Sequence, residues 1–588
     1  MSRKSVGKIL FASVLMISGA ALPATAQSFR VQCPTSTITH PDTTITQMVN
    51  SSEPAYTGPT TFSLGSGGYV VPSGNVNGAI KCQQISGGDG YSTMANGTQT
   101  FMFSFGPLSG LADIAAGLPG TQVPAIFNTV YGATFMPGDP ANSDGWSTDP
   151  TVVASRSLSG FTFNGAVGLT PDSDCIAANA AAPAGTAASQ LPCPNLPTGG
   201  LDGHVDPRQI MDIGVMNGNI PAPLMAIDED DEFFLTLSNV GMIMRPDLFE
   251  QHTVHFHGYP NASSFYDGVP DASVAINIGG SFTYYYLAPD AGTYFWHCHI
   301  TPPEHLQMGM VGQIYVRPRQ NRTPLGTTLY ASLQKQQGDL RTACATVSVA
   351  APVSSDILCT NPLPADNGIL LGQTSATVAQ LDTLGSSSNN PDNGQQLKYA
   401  YNDGDGLTAY NVEYPIQIHG FDPNFHFVGM TFNPEAFAEM KDKFFLLNGR
   451  SYPDTITPGP LTTESSDGRS HFSQPLPSII NIPAGGKALL RISDLSVTEY
   501  STLASLGIPM HVIGYNAKLL RDQEGNNMDY YSNSITLGGG ESLDVILDAS
   551  NTSVYQKVQI FYLYTPQLDH LSNDQENFGG LMTEIHIN

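Results

Sequence analysis

Two short stretches decide how this chain is interpreted: HTVHFHG at residues 252–258 and WHCH at residues 296–299. Both have the character of extended strands, whose side chains alternate between two faces. In the first stretch the last two histidines then share a face opposite the first histidine. In the second stretch the two histidines share a face opposite the cysteine. If the strands pair, one face carries His255, His257, His297 and His299, and the other carries His252 and Cys298.

The loop after the second stretch adds His305 and Met310 to the face that holds His252 and Cys298. Two imidazoles, a thiolate and a weak thioether form the trigonal, soft donor set of a blue-copper electron-transfer site. The four histidines of the opposite face suit additional copper. A single HxH pair is common in strands and a single methionine usually fills a core, so the combination and its spacing are what favour copper.

These motifs resemble the copper-bearing domains of multicopper oxidases. Residues 252–258 are similar to the family's HPxHxHG motif, and residues 297–310 to its HCHxxxHxxxxM motif, with two extra residues before the third histidine. The resemblance covers roughly residues 205–318 and is weak elsewhere. Further segments that resemble the family are residues 217–223, 267–270 and 292–296.

The resemblance implies a type 1 copper that receives electrons and a type 2/type 3 cluster that passes them to O2. The type 1 ligands would be His252, Cys298, His305 and Met310. The catalytic histidines of the cluster would be His255, His257, His297 and His299. The implied partners are O2 or another small-molecule acceptor, and a cationic metal ion, a small organic reductant or a basic redox protein as donor.

The C-terminal part of the chain departs from the family pattern. PMHVIG at residues 509–514 resembles HPMHxHG with one histidine replaced by Ile513, and YTP at residues 564–566 stands where HCH is expected. A complete trinuclear cluster in the family uses eight histidines from two domains. The cluster would be incomplete, or completed by a neighbouring subunit or by other histidines. The candidates are His511, His570, His419, His426, His471 and His586.

A second resemblance keeps the function open. Type 1 ligands in the earlier sandwich are also typical of copper nitrite reductases, which are trimers with a type 2 copper between subunits. His257 and His297 match their type 2 ligands, whereas His255 and His299 favour the oxidase pattern. A homotrimer is the assembly that this alternative implies. A non-enzymatic electron carrier with only the type 1 site, and a scaffold without copper, are the remaining alternatives.

The predicted fold class is all-β, with at least two cupredoxin-like Greek-key β-sandwiches and an irregular, β-rich N-terminal region. The chain of 588 residues contains 59 glycines and 43 prolines, and only 12% of its residues are charged, which favours many short strands joined by turns. The predicted regions are a signal peptide (1–26), an N-terminal region (27–204), the copper-binding sandwich (205–318), a linker or irregular lobe (319–396) and a second, degenerate sandwich (397–588).

The first 26 residues have the pattern of a secretory signal, with basic residues, a short apolar stretch and a small-residue cleavage site. The protein is therefore expected to be secreted, periplasmic or at the cell surface, where cysteines form disulfides. The simplest pairing joins neighbours along the chain and leaves Cys298 unpaired. The pairs are Cys33–Cys82, Cys175–Cys193 and Cys344–Cys359.

The chain is strongly acidic, with a formal net charge of −27 at pH 7. A nucleic-acid-binding surface needs a concentration of basic residues, so nucleic acid is excluded as a partner. The negative field would instead attract cations or a basic protein.

Overall fold

The computed structural model describes residues 30–41, 53–129, 163–169, 173–187, 190–191, 203–259, 263–288, 290–322, 398–403, 407–429, 436–464, 470–522, 526–574 and 576–588. The signal peptide predicted at residues 1–26 and all but the first four residues of the predicted linker lie outside this part of the chain.

The first β-sandwich consists of two four-stranded sheets, preceded by a separate hairpin. The hairpin strands are β1 (Thr61–Leu64) and β2 (Val70–Gly74). The sandwich strands are β3 (Ile80–Thr93), β4 (Gln99–Pro107), β5 (Met225–Asp228), β6 (Glu232–Gly241), β7 (His255–Phe256), β8 (Ser281–Leu287), β9 (Gly292–His297) and β10 (Val311–Arg317). One sheet has the order β4-β3-β6-β8 and the other β5-β10-β9-β7.

The sequence of β6 shows why these segments form strands. Phe233, Leu235 and Leu237 alternate with other residues and pack into the core between the two sheets. Phe234, on the opposite face of the strand, packs against a separate apolar cluster, to which the N-terminal part of the chain and α4 (Pro207–Gly214) contribute. Both faces of β6 are therefore covered, and the strand lies inside its sheet, between β3 and β8.

Strands from the predicted N-terminal region belong to this first sandwich. β3 pairs in parallel with β6 from Ile80 to Gly88, and β4 pairs with β3. The sheet thus crosses the boundary predicted between residues 204 and 205. Hydrophobic patterning identifies strands but not their partners, and parallel strands distant in sequence pair only through the tertiary fold.

The same region contains the Cys33–Cys82 disulfide, which confirms the first predicted pair. The other two pairs fall outside the described part of the chain or on undescribed side chains. Cys298 is buried and unpaired, as predicted.

The second β-sandwich is formed by the C-terminal part of the chain. Short strands that precede or flank it are β11 (Lys398–Tyr399), β12 (Ala409–Tyr410), β15 (Leu461–Glu464) and β16 (Ser470–Ser473). One sheet contains β13 (Val412–Phe421), β14 (Phe444–Leu447), β18 (Lys487–Asp494), β20 (Met510–Tyr515), β21 (Lys518–Leu519), β22 (Tyr530–Ser532) and β24 (Ser542–Asp548). The other contains β17 (Ile480–Ile482), β19 (Ser501–Leu506), β23 (Ser534–Leu537), β25 (Ile560–Tyr564) and β26 (Met582–Ile587).

The helices in the described part of the chain have at most eight residues. They are α1 (Leu111–Ala115), α2 (Pro124–Phe127), α3 (Ser173–Ala180), α4 (Pro207–Gly214), α5 (Pro302–Met308) and α6 (Pro423–Gly429). Among the described residues, none of the helices has the length and apolar character to cross a membrane. The predicted all-β class with at least two sandwiches is confirmed.

A polar interface joins the two sandwiches. Glu413 of β13 forms ion pairs with Arg317 of β10 at 2.6 Å and with Arg491 of β18 at 3.0 Å. Thr293 of β9 donates a hydrogen bond to the buried carboxylate of Asp544 at 2.6 Å. The Glu413–Arg317 and Thr293–Asp544 contacts cross between the sandwiches and hold the second sandwich against β9 and β10, which flank the histidine-rich stretches.

Candidate metal centre

The register of two short strands brings the two histidine-rich stretches together. β7 pairs antiparallel with β9, so that His255 lies opposite His297 and Phe256 opposite Trp296. Directly opposed residues of an antiparallel pair point to the same face. The paired Phe256 and Trp296 point to the other face, into the core of the first sandwich. The predicted pairing is therefore observed, although β7 spans only two residues and Cys298 lies just beyond the end of β9.

The first group consists of His252, Cys298 and His305, which are all fully buried. One ligand atom from each lies within 4.8 Å of the others, and Nδ1 of His305 is 3.3 Å from Sγ of Cys298. Both ring nitrogens of His252 are buried without a hydrogen-bond partner. Because a buried polar atom left unpaired is costly, these nitrogens fit a site that binds a metal ion.

Burial, reinforced by the charge of nearby His305, lowers the pKa of His252 well below its ordinary value. Neutral imidazole is the form that binds metal ions. The backbone N–H of Thr253 donates to Sγ of Cys298 at 3.4 Å, a hydrogen bond that orients the sulfur.

Helix α5 supplies His305 and ends just before Met310. Pro302 and Pro303 stand at the start of the helix, where a missing N–H has no cost. Gly309 ends it with φ of 116°, a backbone conformation that glycine adopts without strain. The chain then turns back so that Cys298 N–H donates to the carbonyl of Met310 at 3.1 Å. Met310 is fully buried in the same cluster as Cys298, and its role as an axial ligand stays a prediction.

The second group consists of His255, His257 and His297, again with ligand atoms within 4.8 Å of one another. Nδ1–H of His255 donates to the carbonyl of Asp267 at 2.6 Å, and Nδ1–H of His297 donates to the carbonyl of Cys298 at 2.6 Å. Hydrogen bonds of this kind fix the tautomer of a metal-binding histidine and leave Nε2 free to bind.

The free Nε2 of His297 faces a nitrogen of the third ring, because it lies 2.9 Å from Nε2 of His257. Burial lowers the pKa of His257 to about 4, with a further lowering from His255, so the His257 ring is neutral at pH 7. Burial also lowers the pKa of His297 well below its ordinary value. Since His297 has its proton on Nδ1, a proton on His257 or a cation must lie between the two nitrogens.

The fourth predicted histidine lies beside this group. The His299 ring centroid is 5.1 Å from that of His255 and 5.4 Å from that of His297. The structure thus brings three of the four histidines to one point, with the fourth adjoining. Because Cys298 lies between His297 and His299 in sequence, the two groups are linked through one residue of backbone.

The histidines proposed from the C-terminal region have other partners. His511 pairs with Asp529 at 2.9 Å, His570 with Glu499 at 2.7 Å, and His586 with Glu584 at 2.7 Å. His419 donates to the carbonyl of Leu306, and His426 lies between the carbonyls of Phe101 and Gln307. The side chain of His471 lies outside the described set. Among the described residues, no histidine of the second sandwich joins either group.

Sequence reasoning missed the contribution of the N-terminal strands to the first group. A Cβ atom added to Gly87 of β3 would lie 2.6 Å from Cδ2 of His252, so the ring occupies the space that a side chain would fill. The ring of Phe103 of β4 contacts His305 edge-on, with centroids 5.1 Å apart. The signal was the Gly87-Gly88 pair inside a strand, since glycine there often marks a close approach.

A cavity of about 480 Å³ opens beside His257, between the two sandwiches. On the first sandwich it is lined by Phe295 and the start of α5. On the second it is lined by residues 496–500 and 538–541, which include Glu499 and Glu541. The second group is therefore accessible to a small molecule, whereas the first group is closed.

Comparison with known proteins agrees with this geometry in one region. Residues 203–321 match the family model described as Multicopper oxidase. A laccase of Aspergillus fumigatus is 33% identical over 109 residues, which are 18% of this chain and 17% of the laccase. A multicopper oxidase of Talaromyces pinophilus is 32% identical over 123 residues, 21% of this chain and 19% of that protein.

A copper-containing nitrite reductase of Rhizobium meliloti is 35% identical over 112 residues, 18% of this chain and 26% of the reductase. Among solved structures, a blue copper oxidase from Nitrosomonas europaea is 19% identical, with a TM-score of 0.38, over 63% of this chain and 78% of the other. The chain thus spans about a quarter or less of the length of these three curated relatives. Residues 203–321, which contain both groups of candidate ligands, are thus the part of the chain that is similar to the multicopper oxidase family.

Proposed function

We propose that the protein is a secreted, copper-dependent oxidoreductase that oxidises a metal ion or a small organic molecule and reduces O2. The observation that carries this proposal is the pair of adjacent groups, His252/Cys298/His305 and His255/His257/His297, joined through the backbone at Cys298. When bound, copper would supply one-electron transfer at the first group and O2 reduction at the second.

The donor sets fit copper rather than a metal with hard oxygen ligands. A thiolate with two imidazoles is a soft set typical of blue copper, and imidazoles alone suit further copper. The free nitrogens of His252 and the facing nitrogens of His257 and His297 are the positions where the ions would be held. His299 is proposed as the fourth histidine of the second group, and Met310 as the weak axial ligand of the first.

The reductant would give its electrons near His305. The first group is fully buried, so a substrate reaches it only through the edge of a ligand. Nε2 of His305 lies 3.6 Å from the carboxylate of Glu250, whose side chain is 27% exposed. A carboxylate at this point supports a cationic reductant, in agreement with the acidic chain.

The acceptor would bind at the second group. The cavity beside His257 is large enough for O2 and for larger molecules, and it opens where the two sandwiches meet. His257 is the member of the group that lines it. The donors His255 and His297 are held in place by their Nδ1 hydrogen bonds, so only Nε2 of each remains for a ligand.

Nitrite reduction is the second candidate function. The three histidines have the spacing of ligands to a single ion, and the described histidines of the second sandwich are engaged elsewhere. Both facts support one type 2 copper rather than a trinuclear cluster. The nitrite reductase of Rhizobium meliloti is similar over 18% of this chain, the same share as the laccase of Aspergillus fumigatus. A homotrimer would belong to this alternative.

The test is copper content per chain on metal-loaded protein, with electron paramagnetic resonance and turnover on the same sample. About four coppers per chain and O2 consumption with a reductant are expected for the oxidase. One or two coppers, with nitric oxide formed from nitrite without O2, would establish the reductase. One copper without turnover would mean an electron carrier, and protein that binds no copper would refute both enzymes.

A further inference from the structure

The helix that carries His305 ends against the second sandwich. Nε2–H of His419, on β13, donates to the carbonyl of Leu306 at 3.0 Å. Leu306 follows His305 directly in α5. The Leu306 carbonyl also accepts the N–H of Gly309 at 3.0 Å, so His419 adds a second donor to the final turn of the helix.

A second histidine lies at the next carbonyl. Nε2 of His426, in α6, is 2.9 Å from the carbonyl of Gln307, and its Nδ1 is 2.6 Å from the carbonyl of Phe101. Burial lowers the pKa of His426 to about 3, so the ring is neutral and donates to one of these carbonyls at a time. Burial likewise lowers the pKa of His419 to about 4, and its neutral ring donates to Leu306.

The side chain of Gln307 is also bound by residues of the second sandwich. Its amide Nε2 donates to Asp442 at 2.8 Å, and its Oε1 accepts the backbone N–H of Asp422 at 3.2 Å. A Cβ atom on Gly420 would lie 2.0 Å from the Asp442 carboxylate, so a glycine at this position lets Asp442 reach the helix. Two backbone carbonyls and one side chain at the end of α5 are thus all bound by the second sandwich.

We propose that the second sandwich positions the first metal group, with His419 as the main positioning residue. It holds the end of α5, and α5 fixes His305 on one side and the turn to Met310 on the other. The inference rests on the proposed function, because it assumes that His305 binds copper. It gives a role to two histidines that a copper cluster does not use.

The test compares His419→Leu with His419→Gln in the full-length, copper-loaded protein. Leucine removes the donor, whereas the glutamine amide can still donate near the position of Nε2. We expect His419→Leu to weaken copper binding at the Cys298 group about tenfold, the lower end for residues that orient metal ligands, and to shift the blue absorption band and the reduction potential. His419→Gln should restore all three.

His511→Leu is the matched control. His511 is another buried histidine of the second sandwich, and it pairs with Asp529 away from α5. The His511→Leu substitution should lower the thermal stability of the second sandwich without shifting the blue absorption band. If His419→Leu does not fold, Asp442→Ala removes the contact to Gln307 instead and carries the same expectations.

Each failure has its own signature. A wild-type protein without a blue band refutes the proposed function. A blue wild-type protein whose band and copper affinity are unchanged in His419→Leu refutes only the positioning role. Loss of copper from the second group in His419→Gln would also overturn the inference, since it would make His419 a ligand.

Discussion

Gly87 offers the sharpest test of the first metal group, because it contacts His252 but lies far from the metal-binding motifs in the sequence. The ring of His252 packs against Gly87, where any other residue would carry a Cβ atom. A methyl group at this position would lie 2.6 Å from Cδ2 and 3.3 Å from Cγ of the ring, whereas ordinary contact begins at 3.4 Å. In Gly87→Ala the ring must therefore move by about 0.8 Å.

The ring has little room for such a movement. His252 is fully buried, and its backbone is bonded on both sides to Ile276. Metal–ligand distances tolerate only about 0.2 Å, so a displacement four times as large removes His252 from the ligand set. We expect at least about tenfold weaker copper binding and loss of the blue band, with a stability cost of about 1–3 kcal/mol for overpacking.

The assay is a copper titration followed by visible absorption, with thermal unfolding of the same samples. Gly88→Ala is the matched control, because its methyl group would press on Val240 at 2.8 Å and leaves His252 untouched. It should show a similar loss of stability but keep the blue band. A Gly87→Ala protein that binds copper and absorbs like the wild type would refute the packing of His252 on β3.

Three other predictions concern the remaining groups. Cys298→Ser should abolish the blue band while copper stays on the second group, and a persistent band would refute the thiolate assignment. His255→Ala should keep the blue band and stop turnover, whereas retained turnover would contradict its place in the second group. Burial alone raises the pKa of Glu413, but Arg317 and Arg491 outweigh it and hold the pKa far below its ordinary value. The stability from this ion pair is therefore present above about pH 4.5 and is lost as the pH falls further. Glu413→Ala should lower the free energy of unfolding by about 3–5 kcal/mol at pH 7. In chemical unfolding experiments, the variant should also lose less stability than the wild type as the pH falls.

The predicted division of the ligands into two groups depended on local geometry. The alternation of side chains along a strand places His255 and His297 on one face whatever surrounds them. The structure agrees even though β7 has only two residues, because Phe256 and Trp296 are buried on the opposite face and hold the register. The roles of the two groups as copper ligands stay predictions.

The contributions of distant strands could not be predicted in the same way. The Gly87-Gly88 pair signals a close approach but not that the approaching group is His252, because the parallel pairing of β3 with β6 joins segments about 150 residues apart. For the histidines of the second sandwich, the sequence indicates a role that the structure does not support. His419 and His426 have the same side chain as a metal-binding histidine, and only their carbonyl partners on α5 show that they hold a helix instead.

The all-β class, the division of the candidate donors into two groups and the unpaired cysteine could be predicted from residue type and from spacing within a few residues. The tertiary structure decided which strands complete the first sandwich, how closely the histidines approach, and what the second sandwich does. These features depend on contacts between segments far apart in the chain, and burial and pairing arise there only once the whole chain has folded.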